Sequence, residues 1–123
     1  MGKFNDRRKE LRKKVMAFAP VYDLGKGKLL GFLQNLTLQG ALVIGEKTLE
    51  VNTQTTLGID LPSDLPGVAT DRLTISARVA SCTKDDEATS SYKLGFEFTD
   101  IKPEQTQVIA AILERYHFRH KIK

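Results

Sequence analysis

Alternating apolar and polar positions run through the middle of the chain and predict β-strands. Residues 73–79 place an apolar side chain at every second position, with Thr, Ser and Arg between them, and residues 92–99 alternate in the same way. Residues 57–61 follow the same pattern, and residues 40–44 form a further short apolar segment. Because successive side chains of a strand point to opposite faces, we expect these segments to be buried on one face.

Turn-forming residues separate these segments from one another. Two further apolar segments, residues 15–22 and 29–35, flank residues 23–28, whose Asp and two Gly residues predict a hairpin turn. Other breaks, rich in Gly, Pro, Asp, Ser or Thr, fall at residues 45–46, 62–67 and 84–91. About six short strands in succession predict a small antiparallel barrel, since closure of a sheet removes its exposed edges.

One long helix is predicted after the strands. Pro103 suits the first turn of a helix. The apolar residues that follow recur at intervals of three and four, as expected for one face of a helix: Val108, Ile109, Ile112, Leu113 and Tyr116. This apolar face is expected to pack against the barrel.

Length and composition favour one soluble domain. The chain has 123 residues, 41% of them hydrophobic, which allows one modest core but not two ordinary domains. No apolar segment approaches the roughly 18 residues of a membrane span, and the start of the chain lacks the apolar stretch of a signal peptide. With Cys82 as the single cysteine, these features predict a cytoplasmic protein without a membrane span.

Charge is distributed unevenly along the chain. Residues 1–14 carry seven basic and two acidic side chains, and residues 115–123 carry four basic side chains and no acid. The net charge of the whole chain is +4, so residues 15–114 carry a net −5. The basic ends are therefore candidate contacts for an anion, which the charge alone leaves open as phosphate, nucleic acid, acidic lipid or acidic protein. Solvated tails without a partner are the alternative.

The chemistry of an enzyme or a metal site is not evident in the sequence. Cys82 has no second cysteine to share a metal, and His117 and His120 lie near the C-terminus without a third obvious ligand. No serine occupies a Gly-x-Ser-x-Gly turn, and residues 25–28 lack the spacing of a phosphate-binding loop. We therefore predict neither catalytic residues nor a metal site.

Two short polar segments are candidates for ligand contacts. Arg8 and Arg12 are four residues apart, and two guanidinium groups on one side of the chain can bind phosphate oxygens or the O6/N7 edge of a guanine. In the second segment, Leu36 and Leu38 are predicted to face inward, which leaves Asn35 and Thr37 on the outer face to hydrogen-bond a planar heterocycle. Gly40, three residues after Thr37, permits a bend or the close approach of a ligand.

In order and spacing, these two segments resemble the signature of the PilZ family of bacterial cyclic di-GMP receptors. The family carries Arg-x-x-x-Arg in its N-terminal stretch, as in residues 8–12 here, and Asp/Asn-x-Ser-x-x-Gly on a following strand, as in residues 35–40. Residues 77–79, Ala-Arg-Val, and 94–98, Leu-Gly-Phe-Glu-Phe, also resemble family strands. The resemblance covers nearly the whole chain.

The resemblance implies a mainly β fold, with a six-stranded antiparallel barrel, a C-terminal helix and a flexible basic N-terminal arm. We assign the chain to a single PilZ domain over residues 1–123, with the arm at 1–14, the barrel at 15–101 and the helix at 102–119. The arm is expected to fold over cyclic di-GMP lying on the barrel.

Residue roles follow from the same resemblance. Arg8 and Arg12 are expected to bind guanine edges and phosphates, and Asn35 and Thr37 to hydrogen-bond a guanine for which Gly40 makes room. Arg7 resembles the arginine of members that take up two stacked ligand molecules. Two positions depart from the family: Thr37 replaces the usual serine, and the residue aligned with a frequent tryptophan is Ser81.

The functional hypothesis is a cyclic di-GMP receptor and adaptor whose ligand orders the arm and changes a surface for an effector protein. Motility and exopolysaccharide production are processes that the resemblance implies. One alternative is a PilZ-like protein-interaction module that does not bind nucleotide. Another is a nucleic-acid-binding small barrel, which is disfavoured because most aromatic residues are predicted to face inward rather than form a stacking platform.

Overall fold

The structure, a computed structural model, describes residues 14–16, 19–65, 67–68, 70–85 and 90–118. The elements, in chain order, are β1 (Lys14–Met16), β2 (Pro20–Asp23), β3 (Lys28–Leu36), β4 (Gly40–Gly45), β5 (Gln54–Asp60), β6 (Arg72–Lys84), β7 (Tyr92–Phe98), α1 (Pro103–Arg115) and β8 (Tyr116–Phe118).

Six of these strands close into an antiparallel barrel in the order β2-β3-β4-β7-β6-β5. The prediction of a mainly β, six-stranded antiparallel barrel with a C-terminal helix is confirmed. Most of the predicted arm, residues 1–13, lies outside the described residues.

The core lies inside the barrel, where the predicted alternation places it. In β6 the apolar residues at 73, 75, 77 and 79 are buried, and the polar residues between them are not. In β7, Leu94, Phe96 and Phe98 are buried, whereas Tyr92 is half-buried at the start of the strand. Burial of these side chains on one face is what makes the register of each strand specific, because a shift by one residue would expose them all.

The predicted hairpin between β2 and β3 is present. One carboxylate oxygen of Asp23 accepts hydrogen bonds from the backbone N–H groups of Gly25, at 3.0 Å, and Lys26, at 3.2 Å. Gly27 has a φ of 65°, a left-handed conformation that glycine adopts at little cost. The Asp and Gly residues that predicted the turn therefore stabilise it directly.

Three register shifts interrupt the strand pairing of the barrel, and one of them lies in the β2–β3 pair. The other two are β-bulges in β3 and β6. In β3, Leu33 pairs with Val43 and Asn35 with Leu42, so Gln34 is the extra residue. In β6, Val79 pairs with Phe96 and Ser81 with Gly95, so Ala80 is the extra residue. A bulge changes which way the following side chains point, and both bulges lie beside the candidate site described below.

Helix α1 packs on the barrel through Ile109 and Ile112, which are fully buried. Its first turn is joined to β6, because the side-chain amide of Gln105 donates a hydrogen bond to the carbonyl of Thr74 at 2.8 Å. The side-chain oxygen of Gln105 also accepts a hydrogen bond from the backbone N–H of Lys102 at 2.7 Å. The start of the helix therefore has a fixed position relative to the barrel.

The C-terminal helix is shorter than the predicted range 102–119. It ends at Arg115, and Tyr116 adopts an extended backbone from which β8 begins. The β8 strand pairs in parallel with β1, outside the barrel. Residues 15–16, which were predicted to begin the barrel, therefore belong to this separate two-stranded sheet, since the closed barrel has no free edge for them.

Candidate ligand-binding site

A shallow depression on the outer wall of the barrel brings together the three described residues that were predicted to bind a ligand. It has a volume of about 240 Å³ and lies where β3 turns into β4, beside β6 and β7. Asn35, Thr37 and Gly40 all line it. Its remaining walls come from the residues Leu36, Ala41, Leu42, Ala80, Gly95 and Phe96.

Thr37 organises the turn at one end of the depression. Its hydroxyl oxygen accepts hydrogen bonds from the backbone N–H groups of Gln39 and Gly40, both at 3.1 Å. The N–H of Thr37 donates in turn to the carbonyl of Gly40 at 2.9 Å. The hydroxyl also donates its own proton to the carbonyl of Gly40 at 3.4 Å, so the turn uses both its acceptor positions and its donor.

The same turn explains why one sequence prediction is wrong. Leu38 was expected to face inward with Leu36, but Leu36 is buried and Leu38 is 46% exposed. The β3 strand ends at Leu36, so its alternation does not extend to Leu38, which lies in the turn. The predicted outward positions of Asn35 and Thr37 agree with the structure, because both side chains are exposed.

Asn35 retains more of its hydrogen-bonding capacity. Its side-chain oxygen accepts a hydrogen bond from the backbone N–H of Leu36 at 2.9 Å, which orients the amide. Among the described residues the NH₂ group has no hydrogen-bond partner. Asn35 therefore offers two N–H donors at the depression.

Gly40 has a structural reason to be glycine. A Cβ atom built at this position would overlap the carbonyl oxygen of Phe96 on the neighbouring strand β7. The residue lets β4 approach β7 closely at the start of their pairing, where Gly40 is aligned with Glu97. The predicted ligand role of Gly40 is therefore additional to a role in strand packing.

Ala80, rather than Ser81, lines the depression at the position next to Gly95. Ser81 lies against Gly95, because a Cβ on that glycine would overlap the Ser81 hydroxyl. The bulge at Ala80 causes this offset by one residue. Sequence reasoning missed Ala80, Leu42 and Gly95 as lining residues, since the bulge arises from pairing across strands and has no local signal in the chain.

None of the residues that line the depression carries a charge. The nearby guanidinium of Arg78 is occupied, because it is ion-paired with Glu97 and donates to the side-chain oxygen of Asn52 at 2.7 Å. Cations for an anionic ligand must therefore come from residues outside the lining. The predicted Arg7, Arg8 and Arg12 lie outside the described residues.

Two other features are absent from the part of the chain that the structure describes. Within it, no group of three or more His, Cys, Asp or Glu side chains is arranged to hold a metal ion. Its helix is too short and too polar to cross a membrane.

The fold and the depression define a small closed β-barrel with a candidate binding surface on its outer wall. A sequence model of the PilZ domain matches residues 6–115, so the chain belongs to the PilZ domain family. The search of curated proteins found no significant match.

One solved structure with the same fold is described as the PilZ domain with c-di-GMP of YcgR from Escherichia coli. The TM-score is 0.59 at 14% sequence identity, and the alignment covers 81% of this chain and 83% of the other. At 14% identity this similarity shows a shared fold and nothing further.

Proposed function

We propose that this protein is a cytoplasmic receptor and adaptor for cyclic di-GMP. The observation that carries the proposal is the convergence of Asn35, Thr37 and Gly40, the second PilZ motif, on one uncharged depression. Membership of the PilZ family and a fold shared with a PilZ domain solved with c-di-GMP support the choice of ligand. The protein would act by binding, with no catalytic step.

The chemistry of the depression suits one guanine of the ligand. The free NH₂ group of Asn35 is a donor for the O6 or N7 acceptors of guanine. The Thr37 hydroxyl already donates to the Gly40 carbonyl at 3.4 Å, so it would contact the base by exchanging that long hydrogen bond for one to the ligand. The apolar walls, which include Leu42 and Ala80, can pack against the base. Because the lining is uncharged, it leaves the ligand phosphates to be neutralised from elsewhere.

That neutralisation is assigned to the arginines of the first motif. Arg8 and Arg12 would bind phosphates and guanine edges, and Arg7 would contact a second ligand molecule. Binding would order the N-terminal segment over the barrel and alter a surface for an effector protein. The free energy available for this switch is the difference in ligand affinity between the two states of the segment. Motility and exopolysaccharide production are the processes proposed for such a switch.

Titration calorimetry of alanine variants tests the assignment. Arg8→Ala and Arg12→Ala should each weaken cyclic di-GMP binding at least about tenfold, because each removes a charge-assisted contact. The matched control is Lys9→Ala, which removes a cation from between the two arginines and should change the affinity less than about threefold. GMP and cyclic di-AMP serve as ligand controls.

Each outcome of the titration has a definite meaning. Unchanged binding by Arg8→Ala or Arg12→Ala would show that the arginines were assigned wrongly. No binding by the parent protein at high micromolar ligand would remove the receptor function, and the protein-interaction module without nucleotide would replace it.

A further inference from the structure

A second and larger cavity lies at the opposite end of β3 from the depression. Its volume is about 480 Å³, and it is lined by the β2–β3 hairpin, the first half of β3, and the end of β4 with the loop that follows. We call it the β3–β4 pocket. Two of its lining residues are large and exposed, Leu29 at 52% and Phe32 at 41%.

The inner part of the β3–β4 pocket is apolar and open. Gly31 and Gly45 contribute no side chains to its lining, and Leu94 behind them belongs to the core. Phe32 is aligned with the half-buried Ile44 across the β3–β4 pair. Exposed apolar side chains around a cavity are typical of interaction sites on soluble domains.

Lysines surround this apolar surface. Residues 15–114 contain eight basic side chains, of which three form ion pairs: Arg72 with Asp60, Arg78 with Glu97, and Lys102 with Asp100. By contrast, Lys26, Lys28 and Lys47 all line the β3–β4 pocket, and none has an ion-pair partner among the described residues. In a segment with a net charge of −5, this local excess of cations is opposite to the surrounding charge.

The acidic residues of the pocket do not cancel this charge. Glu46, which is exposed, and Asp23 are two anions against three lysines, so the lining keeps a net charge of +1. Asp23 is only 9% exposed, and its carboxylate already accepts two backbone hydrogen bonds in the hairpin. Lys93, aligned with Ile44 on the neighbouring strand β7, adds a further unpaired cation on the same side of the sheet.

We propose that the β3–β4 pocket binds an acidic segment of a partner protein. One or two apolar side chains of that segment would enter the cavity, and flanking Asp or Glu residues would meet the lysines. Charge complementarity favours an acidic partner. The concave shape favours side chains that insert into the protein, whereas binding to a lipid surface needs apolar side chains that protrude from it.

The position of the pocket relative to the depression suggests how the two sites communicate. Leu42 lines the depression and Ile44 lines the β3–β4 pocket, and they lie on one face of β4 about 7 Å apart along the strand. A segment that extends from the pocket along β4 would therefore reach a ligand in the depression. This coupling rests on the proposed function, whereas binding of the acidic segment does not.

Selection of peptides on the full chain tests the proposal. A display library of random 12-residue peptides should yield sequences in which Asp or Glu flanks Leu, Ile or Phe. For a synthetic peptide of this kind, Phe32→Ser and the double variant Lys28→Glu/Lys47→Glu should each weaken binding at least about tenfold in fluorescence anisotropy. Val51→Ser and Lys84→Glu are matched controls outside the pocket, and they should change it less than about twofold.

The other possible occupants give different results, and each would overturn the proposal. The proposal of an acidic partner segment would be wrong if the selected peptides lacked acidic residues. It would also be wrong if a peptide bound equally well to the parent and to the pocket variants. If the parent bound no peptide but bound vesicles that contain anionic lipid, and Phe32→Ser did not bind them, the surface would be assigned to a membrane. A dimer in analytical ultracentrifugation that Phe32→Ser dissociates would assign it to a second copy.

The coupling between the sites has its own readout. Peptide affinity should change at least about threefold when cyclic di-GMP is saturating, which corresponds to a small allosteric free energy. If the protein binds the peptide but not cyclic di-GMP, the proposed function fails and the docking site stands. If it binds both with no mutual effect, the coupling is overturned.

Discussion

Asn35 and Thr37 differ in how much of their hydrogen-bonding capacity the fold already uses. The hydroxyl of Thr37 uses both its acceptor positions and its proton within the turn, so its first role is structural. Asn35 uses only its side-chain oxygen, which accepts a hydrogen bond from the N–H of Leu36. Removal of the amide NH₂ of Asn35 is therefore expected to affect ligand binding with the least effect on folding.

Asn35→Asp is the substitution that exploits this difference. The carboxylate still accepts the hydrogen bond from Leu36, so the free energy of unfolding should change by less than about 1 kcal/mol. Cyclic di-GMP binding should weaken at least about tenfold, because two N–H donors are lost and an anion is placed near the ligand phosphates. Chemical denaturation and titration calorimetry measure the two quantities.

Gln39→Glu is the matched control for this change. It makes the same amide-to-acid replacement at an exposed position of the turn that does not line the depression. If Gln39→Glu weakened binding as much as Asn35→Asp, the effect would be one of charge alone, and the donor role of Asn35 would be lost.

Ala80 offers a test by gain of affinity. Ala80→Trp places an aromatic face at the edge of the depression, and stacking on a guanine is worth about 1–3 kcal/mol, or roughly 5- to 150-fold in affinity. Ser81→Trp is the comparison, because Ser81 lies against Gly95 and does not line the depression. A gain in Ser81→Trp with none in Ala80→Trp would contradict the site geometry.

The junction between α1 and β8 is the element whose course depends most on a distant contact. The phenol of Tyr116 donates a hydrogen bond to the carboxylate of Asp64, which is 52 residues away in the chain, and Arg115 lies 3.9 Å from the same carboxylate. Tyr116 is only 7% exposed. Burial, followed by the hydrogen bond and the charge of Asp64, raises the pKa of the Tyr116 phenol to about 12.

Tyr116→Phe should lower the free energy of unfolding by about 1–3 kcal/mol at neutral pH, because it removes a hydrogen bond to a charged acceptor. The effect should depend on alkaline pH with a defined sign. A pKa raised from 10.0 to about 12 means that the folded state retains the proton more strongly than the unfolded state. This stabilisation is complete below pH 10 and is lost as the pH rises towards 12.

Urea denaturation of parent and variant at pH 7, 9 and 11 measures this difference. The difference in the free energy of unfolding between the two proteins should be constant from pH 7 to 9 and should narrow at pH 11. Tyr92→Phe, which removes the hydroxyl of a half-buried tyrosine of the barrel wall, is the control for the loss of a phenol hydroxyl at pH 7. A difference that widened at pH 11 would contradict the role assigned to the Tyr116 proton.

At the scale of the whole molecule, the separation of charge is the main feature. An acidic middle region carries an uncharged depression and a separate lysine-lined pocket, and basic segments stand at both ends of the chain. Contacts between exposed arginines and phosphates are screened by salt, so cyclic di-GMP binding should weaken as ionic strength rises. The uncharged depression and the lysine-lined pocket therefore differ in the chemistry that they offer to a ligand.

Arg7→Leu tests the stoichiometry expected for the whole receptor. The parent should bind two molecules of cyclic di-GMP per chain, and the variant should bind one, because the cation assigned to the second ligand is removed. Lys3→Leu removes the same charge outside the motif and should leave the stoichiometry at two. A parent that binds one molecule in titration calorimetry would contradict the role of Arg7 while leaving the receptor in place.

Much of the fold follows from local pattern. The period of two in residues 73–79 and 92–99, the Asp and Gly residues of 23–28, and the helical stripe after Pro103 each specify their element within a few residues of chain. The motif at 35–40 likewise predicted which outward side chains meet at one depression. These features depend on residues that are close together in the chain, so they can be recognised from the sequence alone.

Contacts between distant parts of the chain decided the rest. The bulge at Ala80 comes from pairing with β7, and it puts Ala80 instead of Ser81 at the depression. The helix ends at Arg115 where Tyr116 bonds to Asp64 and β8 pairs with β1. The β3–β4 pocket gathers Lys26, Lys28 and Lys47 from separate segments. The amino-acid sequence by itself determined the strands, the helix and the motif, because alternation and spacing are local. The tertiary structure alone decided strand register, the end of the helix and the charged surface, because these arise where segments far apart in the chain meet.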